Sequence, residues 1–236
     1  MERNKYWNLI QTLFISFIVL LFFSLIQSLI LVFLQSEGFT SSINSNTSFA
    51  FSNLGLISSI SSMIGIATIL VFIKIKKTSL NDYLNFKLPS VKHTLLFLLL
   101  SFTLMFIMEW LTNFKPTIFE TDFVIDSYKQ AKSLPLLYIG VVFLAPLFEE
   151  ILFRGFLFKG LRNSFLGGHG TVLTTSLIFS IIHLTQYSIS IIFLMILPMA
   201  LLLGYARLYS KSLLLPFFLH AINNLITCVI THFEVY

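Results

Sequence analysis

The amino-acid sequence predicts an all-α polytopic membrane protein, a transmembrane helix bundle of about seven spans (six to eight). Three observations predict it. Apolar residues fill 56% of the 236 positions, phenylalanine alone accounts for 27 of them, and charged residues make up only 11%. Soluble domains hold roughly 45–50% apolar and about 25% charged residues, and a chain of this size leaves too much surface exposed to hide the excess. Apolar stretches of about 20 residues, the length that crosses roughly 30 Å of hydrocarbon, recur along the chain. Finally, lysines and arginines gather in alternate inter-span stretches, as the topology of multi-pass proteins requires.

In chain order the expected spans are 8–34, 51–73, 91–111, 135–158, 171–187, 189–208 and 212–231. The first is long enough to tilt or to run into the interface. It is too long, and lacks the small-x-small cleavage site, to be a removable signal peptide, so it is expected to remain. The second carries the polar run SSISS at 58–62, whose hydroxyls can bond to the helix's own backbone. The fifth and sixth are separated only by the polar nick LTQYS, which makes them a tight hairpin or one broken element. Residues 1–130 carry the N-terminal spans and 131–236 the C-terminal core, together one integral membrane unit. The loops 35–50 and 112–133 are too short to be domains.

The basic residues set an orientation. Arg3 and Lys5, then Lys74, Lys76, Lys77, Lys87 and Lys92, then Arg154, Lys159 and Arg162, then Arg207 and Lys211 fall on one side of a seven-span chain. The other side holds Lys115, Lys129 and Lys132 beside Glu120, Asp122 and Asp126. The positive-inside rule then makes the N-terminus cytoplasmic and the C-terminus external. The net charge of +5 is spread over these stretches and forms no single stripe, so no nucleic-acid partner is expected. Cys228 is the only cysteine, which excludes an intrachain disulfide and a thiol-pair site.

Against this background the ionisable residues inside spans stand out, because each is costly in hydrocarbon. The fourth span carries Glu149, Glu150 and Arg154. Glu150 and Arg154 lie one helical turn apart on one face and suit an ion pair, whereas Glu149 points about 100° away and needs another partner. A structural ion pair with Arg154 snorkelling to the headgroups explains two of the three residues but leaves Glu149 without a role. The fifth span ends in FSIIH, with Phe179 and His183 on one face, and the seventh carries HAINN, with His220 and Asn224 one turn apart. Read singly, these are an interfacial histidine and a polar glue between helices. Read together, they agree in depth: roughly 14 Å for Glu149, 12 Å for His220 and 18 Å for His183 from the cytoplasmic ends of their spans, at 1.5 Å per residue. That agreement predicts one polar site in the cytoplasmic half of the bundle.

Two chemistries fit such a site. Glu149, His183 and His220 can hold a divalent metal such as zinc with a water in an open position. Alternatively the carboxylate takes a proton from water while histidine and asparagine side chains stabilise the oxyanion, with no metal. Both lead to hydrolysis by an activated water, most naturally of a peptide bond. A covalent nucleophile fits less well, since no serine sits in a GxSxG setting, and HExxH is absent as well.

The three pieces resemble the motifs EExxxR, FxxxH and HxxxN of the CAAX-protease and bacteriocin-processing (CPBP, or Abi) intramembrane proteases. They stand here as Glu149-Glu150-Ile-Leu-Phe-Arg154, Phe179-Ser-Ile-Ile-His183 and His220-Ala-Ile-Asn-Asn224, in the family's order and with no departure. The resemblance covers residues 134–228 and implies a CAAX-protease-like core with a cavity open toward the cytoplasm. It implies that Glu149 activates water together with His183, and that His220 and Asn224 polarise the scissile carbonyl. Glu150 and Arg154 would order the site, with Glu150 able to share in catalysis, and Phe179 would pack beneath His183. By the same resemblance the substrate is a membrane-associated protein or peptide, processed in a CAAX-like reaction, in peptide maturation or in bacteriocin immunity.

Two rivals are weighed against this reading. A transporter also buries charges, but internal repeats are not visible and the polar residues gather at one depth. A non-catalytic immunity or scaffold protein of the same fold would tolerate loss of a motif residue, and none is lost. The richness in Phe, Ile, Lys and Asn and the short loops suit a bacterial plasma membrane.

Overall fold

The computed structural model describes residues 5–36, 46–114 and 122–235. Arg3, Lys115 and Glu120, which entered the charge count, lie outside them, as does most of the 35–50 loop. The described residues are helical, without strands. In chain order they form α1 (Leu9–Ser36), α2 (Asn46–Ser52), α3 (Leu54–Ile75), α4 (Leu80–Leu84), α5 (Val91–Phe114) and α6 (Asp122–Lys129). The long segments Leu134–Arg162 (α7), Ile189–Ser210 (α9) and Leu214–Val235 (α10) follow, with α8 (Gly167–Ile182) between the first two.

Six of these, α1, α3, α5, α7, α9 and α10, are long and apolar enough to cross a membrane. The expected fifth span is the exception: α8 has 16 residues and gives way to a 3-10 turn at His183–Thr185. At 1.5 Å per residue it reaches roughly 24 Å, short of a full crossing. The LTQYS nick separates two helices. Gln186 and Tyr187 both return their N–H groups to the His183 carbonyl, and Ser188 caps α9 by accepting the Ile191 N–H. The two helices pack closely: a β-carbon at Gly204 of α9 would lie 2.9 Å from Val172 of α8.

The connections sort into two ends. At one, Thr78 donates to the Lys5 carbonyl at 2.6 Å and Lys5 pairs with Asp82 at 3.0 Å. There too the Lys159 ammonium sits 4.3 Å over the Tyr6 ring, and Leu213 N–H donates to the Asn85 carbonyl at 3.2 Å. At the other end Lys132 N–H donates to the Ser52 carbonyl at 3.0 Å. The Phe123 ring of α6 meets Phe51 and Tyr187, both at 5.7 Å. Stretches expected on the same side of the bilayer therefore touch one another.

α7 is the axis of the bundle and departs from regular α-helix twice. Residues Ile139–Leu144 and Ile151–Leu157 are π-helical, wider turns that are rare and recur at functional sites. The first precedes Pro146, and a third π-turn, Ile192–Ile196, precedes Pro198 in α9. The cause is common to both: a proline lacks the N–H and crowds the carbonyl one turn back, and the wider turn relieves the crowding.

α3 supplies the smooth surface on which α7 lies. Gly55, Ser58, Ser59, Ser62 and Gly65 are buried on it. A β-carbon at Gly140 would stand 2.7 Å from the Gly55 carbonyl oxygen, and one at Gly65 would stand 2.5 Å from the Phe148 ring. Small residues let two backbones approach in lipid, where hydrophobic exclusion from water gives no drive. The SSISS hydroxyls divide their work: Ser59 and Ser61 bond back to Gly55 and Ile57 at 2.6 and 2.7 Å, while Ser58 reaches the Gly140 carbonyl at 3.4 Å.

Candidate active site

The site begins with the α-helical stretch Ala145–Glu150, set between the two π-turns of α7. Successive residues on a helix point about 100° apart, so Glu149 and Glu150 cannot share a direction. Glu150 points inward and is fully buried. Its Oε1 accepts from Arg154 Nη1 and from His220 Nδ1, each at 2.9 Å. Glu149 keeps 21% of its side chain exposed, and its Oε2 lies 3.7 Å from His220 Nε2. His220 of α10 thus stands between the two carboxylates.

A carboxylate accepts only, so the contact to Glu150 places the proton of His220 on Nδ1 and turns Nε2 toward Glu149. The same logic fixes His183. Its Nδ1 lies 2.7 Å from the Phe179 carbonyl, an obligate acceptor, and its Nε2 is left for other work. Both imidazoles are therefore held by one nitrogen and present the other.

Arg154 is a fully buried cation with three kinds of support. Besides Glu150 it donates from Nη2 to the Ala200 carbonyl at 3.0 Å, and its guanidinium lies 4.6 Å from the Phe179 ring centre. A desolvated cation–π contact of this kind contributes about 2 kcal/mol. The Phe179 ring joins the parts of the site. It packs 4.6 Å from the His183 ring, 5.9 Å from the His220 ring and 5.2 Å from Phe153. The packing of Phe179 against His183 anticipated above is present, and its contact with Arg154 is additional.

Asn224 lies one turn beyond His220, half-buried. Its Nδ2 donates to the Val141 carbonyl at 3.0 Å, while its Oδ1 accepts from Asn223 Nδ2 at 3.4 Å. With a carbonyl on one side and an amide donor on the other, the orientation of the amide is determined.

Glu149, Glu150, Arg154, Phe179, His220 and Asn224 thus form one continuous set, and His183 joins it through Phe179. The cluster lies deeper than the span boundaries led one to expect. Glu149 falls near the middle of the 29-residue α7, which extends past 158 to Arg162. His183 stands just past the far end of α8, beside Tyr187, whose ring is nearly parallel to its own at 6.4 Å.

Among the described residues no three His, Cys, Asp or Glu side chains converge closely enough to hold a metal ion. Glu149 and His220 approach each other, whereas the structure places His183 against Phe179 and Tyr187. The divalent-metal set Glu149, His183 and His220 that the sequence allows does not fit this arrangement.

Two supporting groups escaped sequence reasoning. Arg207, 6% exposed, donates from Nε to the Arg154 carbonyl at 2.8 Å, within the second π-turn. In the sequence it reads as a topology-setting charge. Its signal is its face: Ala200, Leu203 and Arg207 repeat at helical spacing, and the first of them already binds Arg154. Tyr187 is the other, and in the sequence it belongs to a polar nick.

No curated protein and no solved structure matches this chain. Residues 131–226 match a protein family described as Rce1-like, type II CAAX prenyl endopeptidase Rce1-like. That range contains all three motifs and every site residue named above. The C-terminal core of this chain is therefore similar to the Rce1-like CAAX prenyl endopeptidases over residues 131–226.

Proposed function

We propose that the protein is an intramembrane endopeptidase that hydrolyses a peptide bond of a membrane-associated protein or peptide, with Glu149 as the base that activates water. The observation that carries this reading is the division of labour between adjacent glutamates. Glu150 is buried and committed to Arg154 and His220, while Glu149 is partly exposed and faces an imidazole nitrogen. A base must reach solvent or substrate, and only Glu149 does.

In this mechanism a water sits between the Glu149 carboxylate and His183 Nε2. Its oxygen attacks the carbonyl carbon of the scissile bond as its proton passes to Glu149. The second hydrogen of Asn224 Nδ2 polarises the carbonyl oxygen and supports the negative charge that develops there, a type of contact worth about 10²–10³ in rate. His220, anchored on Glu150 through Nδ1–H, presents Nε2 as an acceptor to Glu149 once the carboxylate has taken the proton from water. When the tetrahedral intermediate collapses the C–N bond breaks, and Glu149 returns its proton to the leaving amine. Arg154, Phe179 and Arg207 touch no reacting atom; they hold the groups that do.

The test uses purified protein in detergent and a library of membrane-tethered peptides. Wild type is compared with Glu149→Ala, His183→Ala and His220→Ala, each with and without a chelator. The reading expects cleavage by wild type that the chelator does not abolish, and loss of about 10²–10⁴ in each variant. Equal cleavage by all four proteins would overturn it, and chelator-sensitive cleavage restored by zinc would overturn the metal-free route.

A further inference from the structure

Asn224 is held by a backbone carbonyl that an uninterrupted helix would not offer. In an α-helix the Val141 carbonyl accepts from the N–H of residue 145, and in a π-helix from that of residue 146. Here neither donor is available to it. The Ala145 N–H reaches back five residues to Gly140, and residue 146 is a proline. Gly140 thereby takes the only nearby backbone donor, and Pro146 removes the next one. The Val141 carbonyl is left facing α10, where Asn224 Nδ2 donates to it at 3.0 Å.

We propose that Pro146 and the π-turn Ile139–Leu144 are a positioning device for Asn224. The freed Val141 carbonyl takes one hydrogen of the Asn224 amide and so aims the other at the scissile carbonyl. The catalytic part of this statement rests on the endopeptidase reading above; the geometry does not. Asn223 supports it from the opposite side by donating to Asn224 Oδ1 at 3.4 Å, which prevents the amide from turning over. The device links two elements of the site. The proline sits three residues before Glu149, so the same irregularity that orients Asn224 sets the start of the stretch carrying both glutamates.

Pro146 is thus a positioning residue, and replacing it has a defined chemical consequence. Pro146→Ala restores an N–H five residues from Val141, which competes for the carbonyl and releases Asn224. The primary readout is independent of activity: hydrogen exchange of the Asn224 side-chain amide in protein labelled with ¹⁵N at asparagine, its signal identified by its disappearance in Asn224→Asp. In wild type one Nδ2 proton is expected to exchange at least tenfold slower than its partner, and in Pro146→Ala the two are expected to become alike. Kinetics supply the second readout. Pro146→Ala is expected to lower kcat by roughly 10–100-fold, as misplacement of one group near the reaction does, with KM changed less than about twofold. In an Asn224→Ala background the same substitution is expected to cost little more. Two rapidly exchanging protons in wild type would overturn the proposal, and that measurement stands even if Pro146→Ala fails to fold. Retention of the slow proton in a folded Pro146→Ala would overturn it too. A protein without peptidase activity but with the slow proton present would instead contradict the endopeptidase reading alone.

Discussion

At the scale of single residues, the site rests on a buried charge that cannot be left alone. Arg154 and Glu150 are both fully buried, and each is the other's principal compensation. Removing one partner of such a pair costs about 3–5 kcal/mol, because the survivor stays in low dielectric without its counter-charge. Arg154→Leu is therefore expected to lower the unfolding midpoint in detergent sharply, whereas Glu149→Gln, at a partly exposed position, is expected to leave it within a degree or two. Thermal unfolding followed by circular dichroism compares the two directly. The pairing of Glu150 with Arg154 was legible in the sequence, since i,i+4 geometry is a property of any helix. The isolation of Glu149 was legible for the same reason. The anchor of Asn224 was not, because it depends on a π-turn that shifts the backbone register. Neither was Arg207: whether an arginine near a helix end snorkels outward or turns inward to a carbonyl is decided by what the neighbouring helix offers, in this case the buried carbonyl of Arg154.

At the scale of elements, the position of the two glutamates depends on how closely α7 lies on α3. Their backbones approach at Gly55 and Gly140, and Gly65 makes room for the Phe148 ring directly before Glu149. Gly140→Ala is expected to push the helices apart at their tightest crossing, at a cost of about 1–3 kcal/mol. A stability assay in detergent checks this, with Gly170→Ala in α8, whose nearest neighbour stands at 3.3 Å, as the mild comparison. The span boundaries were legible to within a few residues for α5, α9 and α10, where apolar runs end in charged or capping residues. The helical part of the fifth span is shorter than expected, although α8 and its 3-10 turn still carry the chain from the Lys159 end to the Tyr187 end. Its apolar pattern runs on past Ile182, but the backbone turns at His183 and the remaining polar residues belong to a turn.

At the scale of the whole molecule, the alternation of basic and acidic connections is matched by contacts between the connections themselves. Lys5 and Tyr6, the 78–87 stretch, Lys159 and the 211–213 turn meet at one end, and α2, α6, Tyr187 and His232 are gathered at the other. This sorting was legible in the charge pattern because topology acts on loops one at a time. The approach of His183 to the end bearing α6 was not, since it follows from the length of α8. With the N-terminus cytoplasmic, a cysteine replacing Lys129 in a Cys228→Ala background is expected to react with an impermeant thiol reagent in intact cells. One replacing Lys87 is expected to react only after permeabilisation, and the reverse pattern would invert the orientation.

The central claim is that of two adjacent glutamates one moves the proton and the other holds the scaffold. Single-turnover cleavage of a membrane-tethered peptide by folded, purified Glu149→Gln and Glu150→Gln tests it most directly, with the unfolding midpoint of each measured on the same preparation. The account predicts a Glu149→Gln protein as stable as wild type and slower by at least about 100-fold, and a Glu150→Gln protein that is clearly destabilised. A Glu149→Gln protein that cleaves at the wild-type rate, beside a stable and inactive Glu150→Gln, would contradict it.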